Sequence, residues 1–461
     1  MRRYIQEGLE NYIARGMQPW HMPGHKRKGL YTDVESVSQI DTVLDMLQTI
    51  DVTELPDTDD LHRPEGMIGA SLKELARVYD TVASFYLVGG ATCGVLAGIT
   101  ACAQSGKKHI LMARNCHSSV YNAAQLLKLT PIYIDPPFAG EGLPHLYGGV
   151  TAGQVKEQLE ELPRETRDDL CCAVLTSPTY EGILSDIQGI ANVVHGFHIP
   201  LVVDEAHGAH LPFMPETEAV SAMYLGADIT VQSLHKTMPA MTQTALLHVQ
   251  SEALLEQVRK YISIYMSSSP SYPMLLSMER AVARAEENSA AFSDYYSRLK
   301  AFRKRTEDLS HIKLFTAFDA NTCASFAYDE TRLVLYAKDS EGTLVPGTTL
   351  RNLLSTEKIE CEMAGPEHVT LISTVMDTET ALDTLYAALS ALDRTLPPKV
   401  KGTLTLPAYN LSSLLGKVSD TNIYAYPPGS YIVSVGEVIT AEAVAEMKSY
   451  ANSGIQLYGL L

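Results

Sequence analysis

The chain has 461 residues, 46% of them hydrophobic, so it can bury a large core and should divide into two or three domains. A formal net charge of -18 without any lysine-arginine block argues against nucleic acid or anionic membrane surfaces as partners, because both would repel it. Seven cysteines with no C-x-x-C give neither a disulfide framework nor a zinc motif, so no metal is expected and the reduced cytoplasm is the expected compartment; no apolar run approaches a membrane span.

In chain order, Arg2 to Arg15 carries charges within its apolar pattern and reads as an amphipathic helix rather than a signal peptide. It runs into PWHMPGHKRKG, a loop by its prolines, and then into DVTELPDTDDLHRPEGMIGASLKELARVYD. The carboxylates Asp51, Glu54, Asp57, Asp59 and Asp60 crowd too closely for all to be ion-paired on one face, so they either meet a cation or cap helices and face solvent. From Ser84 onward strands and helices alternate, which predicts a mainly parallel sheet.

SFYLVGG is a strand leading into the helix ATCGVLAGITACAQ, and the glycine-rich entry exposes backbone N–H groups; Gly90, Ala91 and Thr92 are therefore candidates to seat a phosphate. KHILMA is the next strand, and His117 follows at its C-terminal end, the edge of an open α/β sheet where ligands collect. CCAVLTSPTYEG is a buried strand that would bring Thr179 and Tyr180 to the cleft, with Glu181 as a turn cap. IPLVVDEAHGAH is another, ending in Asp204. Asp228 to Ser233 and Met241 to Val249 are strand-like around Pro239, which puts Lys236 on the connection between two strands.

A strand ending in Asp204, followed by one ending in Ser233-x-x-Lys236, resembles the pyridoxal-phosphate enzymes of the aspartate-aminotransferase fold (fold type I). The resemblance implies pyridoxal 5'-phosphate (PLP) as cofactor, with Lys236 as its Schiff-base lysine and Asp204 keeping the pyridine nitrogen protonated. It also implies phosphate contacts from Ser233 and His235, a small Ala206 under the ring, and His207 near the ring hydroxyl. HMPGHK, the acidic segment after it, RNCH, and the tail YPPGSYIVSVGE together resemble the ornithine/lysine/arginine decarboxylase family in its short form, without an N-terminal wing domain. Within that family His117 stacks on the cofactor ring. Ser267 to Ser269 would reach the phosphate of a neighbouring subunit. Relatives usually carry serine at Ala91, often asparagine at Val95, commonly lysine at Ser118, and a more apolar run where Ser430, Tyr431 and Ser434 stand.

The expected architecture is α/β: an aspartate-aminotransferase-like large domain with a mainly parallel sheet (61–305), preceded by an N-terminal arm (1–60) and followed by a smaller α+β C-terminal domain (306–461). The expected activity is PLP-dependent decarboxylation of a basic amino acid in a cytoplasmic homodimer or dimer-based oligomer. Asp57, Asp60 and Glu437 are the candidate partners of the substrate's distal cation, since a desolvated cation needs a carboxylate. An aminotransferase or lyase on the same fold, and an inactive homologue serving as a binding partner, are the alternatives. Among the small-domain arginines Arg332, Arg351 and Arg394, none lies in a recognisable carboxylate-binding motif, which favours decarboxylation over transamination.

Overall fold

The structure is a computed structural model, and it describes residues 16–20, 26, 47, 50–54, 58–104, 106–138, 143, 145–215, 217–316, 327–396, 411–426 and 430–460. The helix expected over Arg2 to Arg15, most of HMPGHK, Asp57 and Pro427 to Gly429 of the tail lie outside these residues.

Seven strands form the largest sheet: β1 (Ala83–Leu87), β2 (His109–Ala113), β3 (Thr130–Ile134), β4 (Leu170–Thr176), β5 (Leu201–Asp204), β6 (Ile229–Gln232) and β7 (Ala245–Val249). Their order is β1-β7-β6-β5-β4-β2-β3. Strands β2 to β6 run parallel to their neighbours among themselves, while β7 is antiparallel to both β1 and β6. The unbroken apolar runs of β4 and β5 suit this position, because a parallel sheet is covered on both faces. Each fully buried Ile, Val or Leu there contributes roughly 1.5–3 kcal/mol by leaving water.

Helix α1 (Gly90–Ala103) lies tightly on this sheet, and two of its glycines make the close approach possible. A Cβ on Gly94 would stand 2.6 Å from Leu87 and 2.8 Å from Val231; one on Gly98 would stand 3.2 Å from Ile229. Helix α2 (Ser118–Leu127) follows β2, and α3 (Tyr272–Glu287) and α4 (Ser289–Thr306) form the long connection out of the large unit.

Beyond α4 the chain builds two hydrophobic cores rather than one. The first surrounds an antiparallel sheet of β8 (Ile312–Leu314), β9 (Arg332–Ala337), β10 (Met363–Ala364) and β11 (His368–Ile372), in the order β8-β9-β11-β10. The second surrounds β12 (Ile423–Tyr426), β13 (Ser430–Val433) and β14 (Gln456–Tyr458), together with helix Ala441–Asn452. The first of these cores also recruits Trp20 from the N-terminal segment, where Gln18–Trp20 pairs in parallel with Ile359–Cys361. Tyr295, Leu299 and Phe302, spaced to share one face of α4, belong to it too, so the apolar face of that helix serves the smaller unit.

Candidate active site

A cavity of about 560 Å³ opens at the C-terminal ends of β2, β4, β5 and β6, between the large sheet and the β10/β11 edge of the smaller one. All ten residues expected to hold the cofactor line it: Gly90, Ala91, Thr92, His117, Asp204, Ala206, His207, Ser233, His235 and Lys236.

At one end is the start of α1. Gly89 caps the helix without any side-chain hydrogen bond, and Gly90 takes φ +75°, a conformation that favours glycine. The first-turn N–H groups therefore face the cavity without a capping acceptor, the arrangement that binds anions. Gln243, from the connection after Lys236, donates to the Val88 carbonyl at 2.8 Å and ties the two walls together.

His117 caps α2: its Nδ1 accepts from the Ser119 amide at 3.2 Å and meets the Ser119 hydroxyl at 2.9 Å, which fixes the ring. Burial pushes its pKa down, with the Asp204 charge opposing and Lys236 adding to the shift. Asp204, the last residue of β5, is buried and accepts the Ala206 amide at 3.1 Å. Ser233 follows β6 and opens the short helix Leu234–Thr237 that presents Lys236; its hydroxyl caps nothing. His235 Nδ1 lies 3.0 Å from the Thr244 carbonyl, so that nitrogen carries the proton, and Nε2 becomes a donor to an anion when the ring takes a second proton.

Lys236 Nζ lies 2.9 Å from His207 Nε2. Burial lowers the lysine pKa, partly offset by Asp204 and Glu362, and Arg332 lowers it further. His207 is also held well below its ordinary range, first by burial and then by Lys236 and Arg332, so it stays neutral and can accept from the ammonium. Behind it, the fully buried Arg332 donates from Nη2 to the His207 carbonyl at 2.7 Å and from Nη1 to the Thr331 hydroxyl at 3.2 Å.

The opposite wall comes from elements with no motif. Thr179 and Tyr180 line it as expected; Glu181 does too, and is buried in the wall rather than merely ending a turn. Glu362, Met363 and His368 enter from the smaller sheet, Tyr450 from helix Ala441–Asn452, and His145 and Tyr147 from the segment after β3. Tyr180 donates its hydroxyl to Glu362, while its ring packs 4.5 Å from His207.

Two expected substrate carboxylates lie outside this wall. Asp60 accepts the His62 amide at 2.8 Å, beside Asp59, which caps the helix Met67–Val78. Glu437 receives Arg114 Nη1 at 3.1 and 3.2 Å and the Ser434 amide at 2.8 Å. Lys26 of HMPGHK donates to the Ile372 carbonyl at 2.5 Å, and Ser267 accepts His62 at its own carbonyl; neither lines the cavity.

The profile of the Orn/Lys/Arg decarboxylase major domain matches residues 5–330. The chain belongs to this family. It is 31% identical to the Bacillus subtilis protein YaaO, over 97% of this chain and 94% of that one. It is 29% identical to a Bacillus anthracis arginine decarboxylase, over 98% and 93%. Among solved structures, a Francisella novicida lysine decarboxylase shares the fold with a TM-score of 0.73 at 16% identity, over 99% of this chain and 81% of that one. The family makes the protein a PLP-dependent amino-acid decarboxylase.

The cavity fits that cofactor by its donor set: N–H groups at one end for a phosphate, a buried carboxylate at a strand terminus for a ring nitrogen, and a lysine of lowered pKa for an aldehyde.

Proposed function

We propose that the protein decarboxylates a basic amino acid, arginine, lysine or ornithine, to the corresponding amine. When bound, PLP supplies an electron-withdrawing ring that accepts the electron pair left as the bond to the substrate carboxylate breaks. The residues divide the remaining work. Lys236 holds the cofactor covalently, and His207 accepts a hydrogen bond from Nζ and orients it. Asp204 keeps a proton on the ring nitrogen. Gly90, Ala91, Thr92, Ser233 and His235 hold the phosphate, with the α1 amides replacing the hydroxyl that Ala91 lacks. His117 and Ala206 confine the two ring faces.

The observation that carries this reading is the charge of the cavity wall. Glu181 and Glu362 line it, and among the described lining residues the only Lys or Arg is Lys236. Arg332 is engaged behind His207, while Arg351 and Arg394 are exposed. A transaminase holds the substrate carboxylate near the ring plane with a guanidinium; here the carboxylate is left free to turn perpendicular to the ring, the geometry in which its bond breaks. A homodimer is part of the same proposal, supported by the exposed apolar Ile50, Val52, Met67 and Leu276 around one surface groove, and the cytoplasm is its proposed compartment.

The test is incubation of purified protein and PLP with each of the three amino acids, with products identified by mass. Amine and carbon dioxide are expected; a keto acid in their place would overturn the reading.

A further inference from the structure

Two carboxylates, Glu181 and Glu362, line the cavity and two more, Glu367 and Glu446, bond to its lining residues His145 and Tyr147; three of the four have partners. Tyr180 donates to Glu362. His145 Nδ1 meets Glu367 at 2.6 Å, and Tyr147 donates to Glu446 at 3.0 Å. Glu181 lines the cavity and is buried, yet its carboxylate has no hydrogen bond among the described residues; the nearest cation-forming atom is His368 Nε2 at 3.8 Å, too far for one.

His368 is itself 2% exposed, lines the same wall, and has no hydrogen-bond partner at either ring nitrogen among the described residues. Its ring is held over bare backbone, since a Cβ on Gly365 would stand 2.4 Å from Cε1. The backbone next to Glu181 is fixed as well. Any side chain on Gly182 (φ +97°) would meet Arg332 at 2.7 Å, and the Gly182 carbonyl accepts the Asp329 amide at 2.8 Å. A buried carboxylate and a buried imidazole, both short of hydrogen-bond partners, are costly unless a ligand completes them.

Their position selects the ligand. The charge of Glu362 acts on the Lys236 ammonium, and that of Glu181 acts on Tyr180 and Tyr450, both of which line the cavity. Glu181 thus stands beside His368, on the wall completed by the smaller units, where Glu367 and Glu446 add to the negative field at Tyr450.

Given the decarboxylase reading above, on which this rests, we infer that Glu181, with His368 beside it, receives the distal cation of the basic substrate. The ammonium or guanidinium replaces the missing hydrogen-bond donor, and a neutral side chain of equal length leaves the carboxylate buried and unpaired. Selectivity for charge is then built into this wall by the penalty on the neutral competitor.

The test uses the PLP-loaded enzyme. Glu181→Gln should raise KM for the preferred basic amino acid by 10- to 100-fold and change kcat less than threefold, with the absorbance of the lysine-bound cofactor and the melting temperature preserved. In the wild type, competitive inhibition by the diamine product should be at least tenfold tighter than by the monoamine of equal length that lacks the distal nitrogen. This second measurement stands even where the variant does not fold. An active wild type whose KM is unmoved by Glu181→Gln, or equal inhibition by diamine and monoamine, overturns the inference and leaves the decarboxylase reading intact. A wild type that releases no amine from arginine, lysine or ornithine overturns that reading, and the inference with it.

Discussion

Lys236 Nζ sits 2.9 Å from His207 Nε2, and Arg332 holds the backbone of the same histidine from behind. The neutral imidazole separates two cations and fixes where the lysine points. Borohydride reduction of the holoenzyme is expected to fix the cofactor on the peptide containing Lys236 and on no other. His207→Ala removes the acceptor while leaving the lysine, so the label should persist while kcat falls by roughly 10²-fold, the lower end of what a positioned proton-handling group contributes. Recovery of the label on another lysine would sink the assignment.

Asp204 is buried at the end of β5, facing the cavity. Asp204→Asn keeps the shape and removes the charge that stabilises a protonated ring nitrogen. Turnover should drop by at least about 10²-fold, as for other groups that act on charge in the transition state. Much of the cofactor should remain bound, because the phosphate seat and Lys236 are untouched. An unchanged kcat would mean that another group faces the nitrogen.

The sequence made the cofactor half of the cavity legible because each of its residues sits in a short local pattern at a strand end: Gly89-Gly90 before α1, His117 after β2, Asp204 closing β5, Ser233 to Lys236 after β6. The opposite wall has no such pattern. Glu362, His368 and Tyr450 come from three elements of the two smaller cores and meet the site through tertiary packing alone, and Glu181 looked like a turn residue because nothing local shows what its side chain faces. For the same reason the acidic cluster near Asp60 draws attention by its density, whereas Asp59 and Asp60 serve backbone amides. Strand positions were legible from apolar runs, but the division of the C-terminal region into two cores depends on which faces meet.

Beneath the site, Glu205 accepts hydrogen bonds from Ser221 at 2.7 Å, Ala222 at 2.5 Å and Gln232 at 2.7 Å. Burial pushes its carboxyl up to about 7, against the pull of those three donors. The folded state therefore binds the proton more tightly than the unfolded one, so the stability this proton gives is complete below the unfolded value of 4.5 and is lost as pH rises toward 7. Glu205→Gln has no such loss. Relative to wild type, the variant should gain on the order of 3 kcal/mol between pH 4.5 and 7, whatever its absolute stability. Chemical denaturation of both proteins at several pH values checks the slope; parallel curves would show that Glu205 does not titrate in this window.

Asp59 takes five backbone N–H groups: Asp60 and Glu65 on Oδ1, and Gly66, Ile68 and Gly69 on Oδ2, all between 2.8 and 3.0 Å. Burial raises its pKa, but these donors outweigh it and hold it at about 2. Asp59→Ala should destabilise the protein by roughly 1–2 kcal/mol, the upper range for loss of a helix cap, read as a lower denaturant midpoint at unchanged slope. Activity per folded molecule should be retained if Asp59 holds only backbone.

Glu437 offers the sharpest contrast between a substrate carboxylate and a structural one. Arg114 donates to it at 3.1 and 3.2 Å, reaches Asp135 at 2.5 Å, and stacks 4.2 Å over the Tyr133 ring. Desolvation works against the guanidinium charge, yet Asp135 and Glu437 keep it protonated at every accessible pH. Because Arg114 precedes Asn115 to His117, this pairing links the C-terminal unit to the segment that carries a cofactor histidine. If that link is the main role of Glu437, Glu437→Gln and Arg114→Met should each lower stability by about 1 kcal/mol, and the double variant should be less than additive, with a coupling of at least about 0.5 kcal/mol. KM for the basic substrate should then shift alike in both single variants. A tenfold rise in KM confined to Glu437→Gln, with no coupling to Arg114, would return Glu437 to the substrate and displace Glu181 from that task.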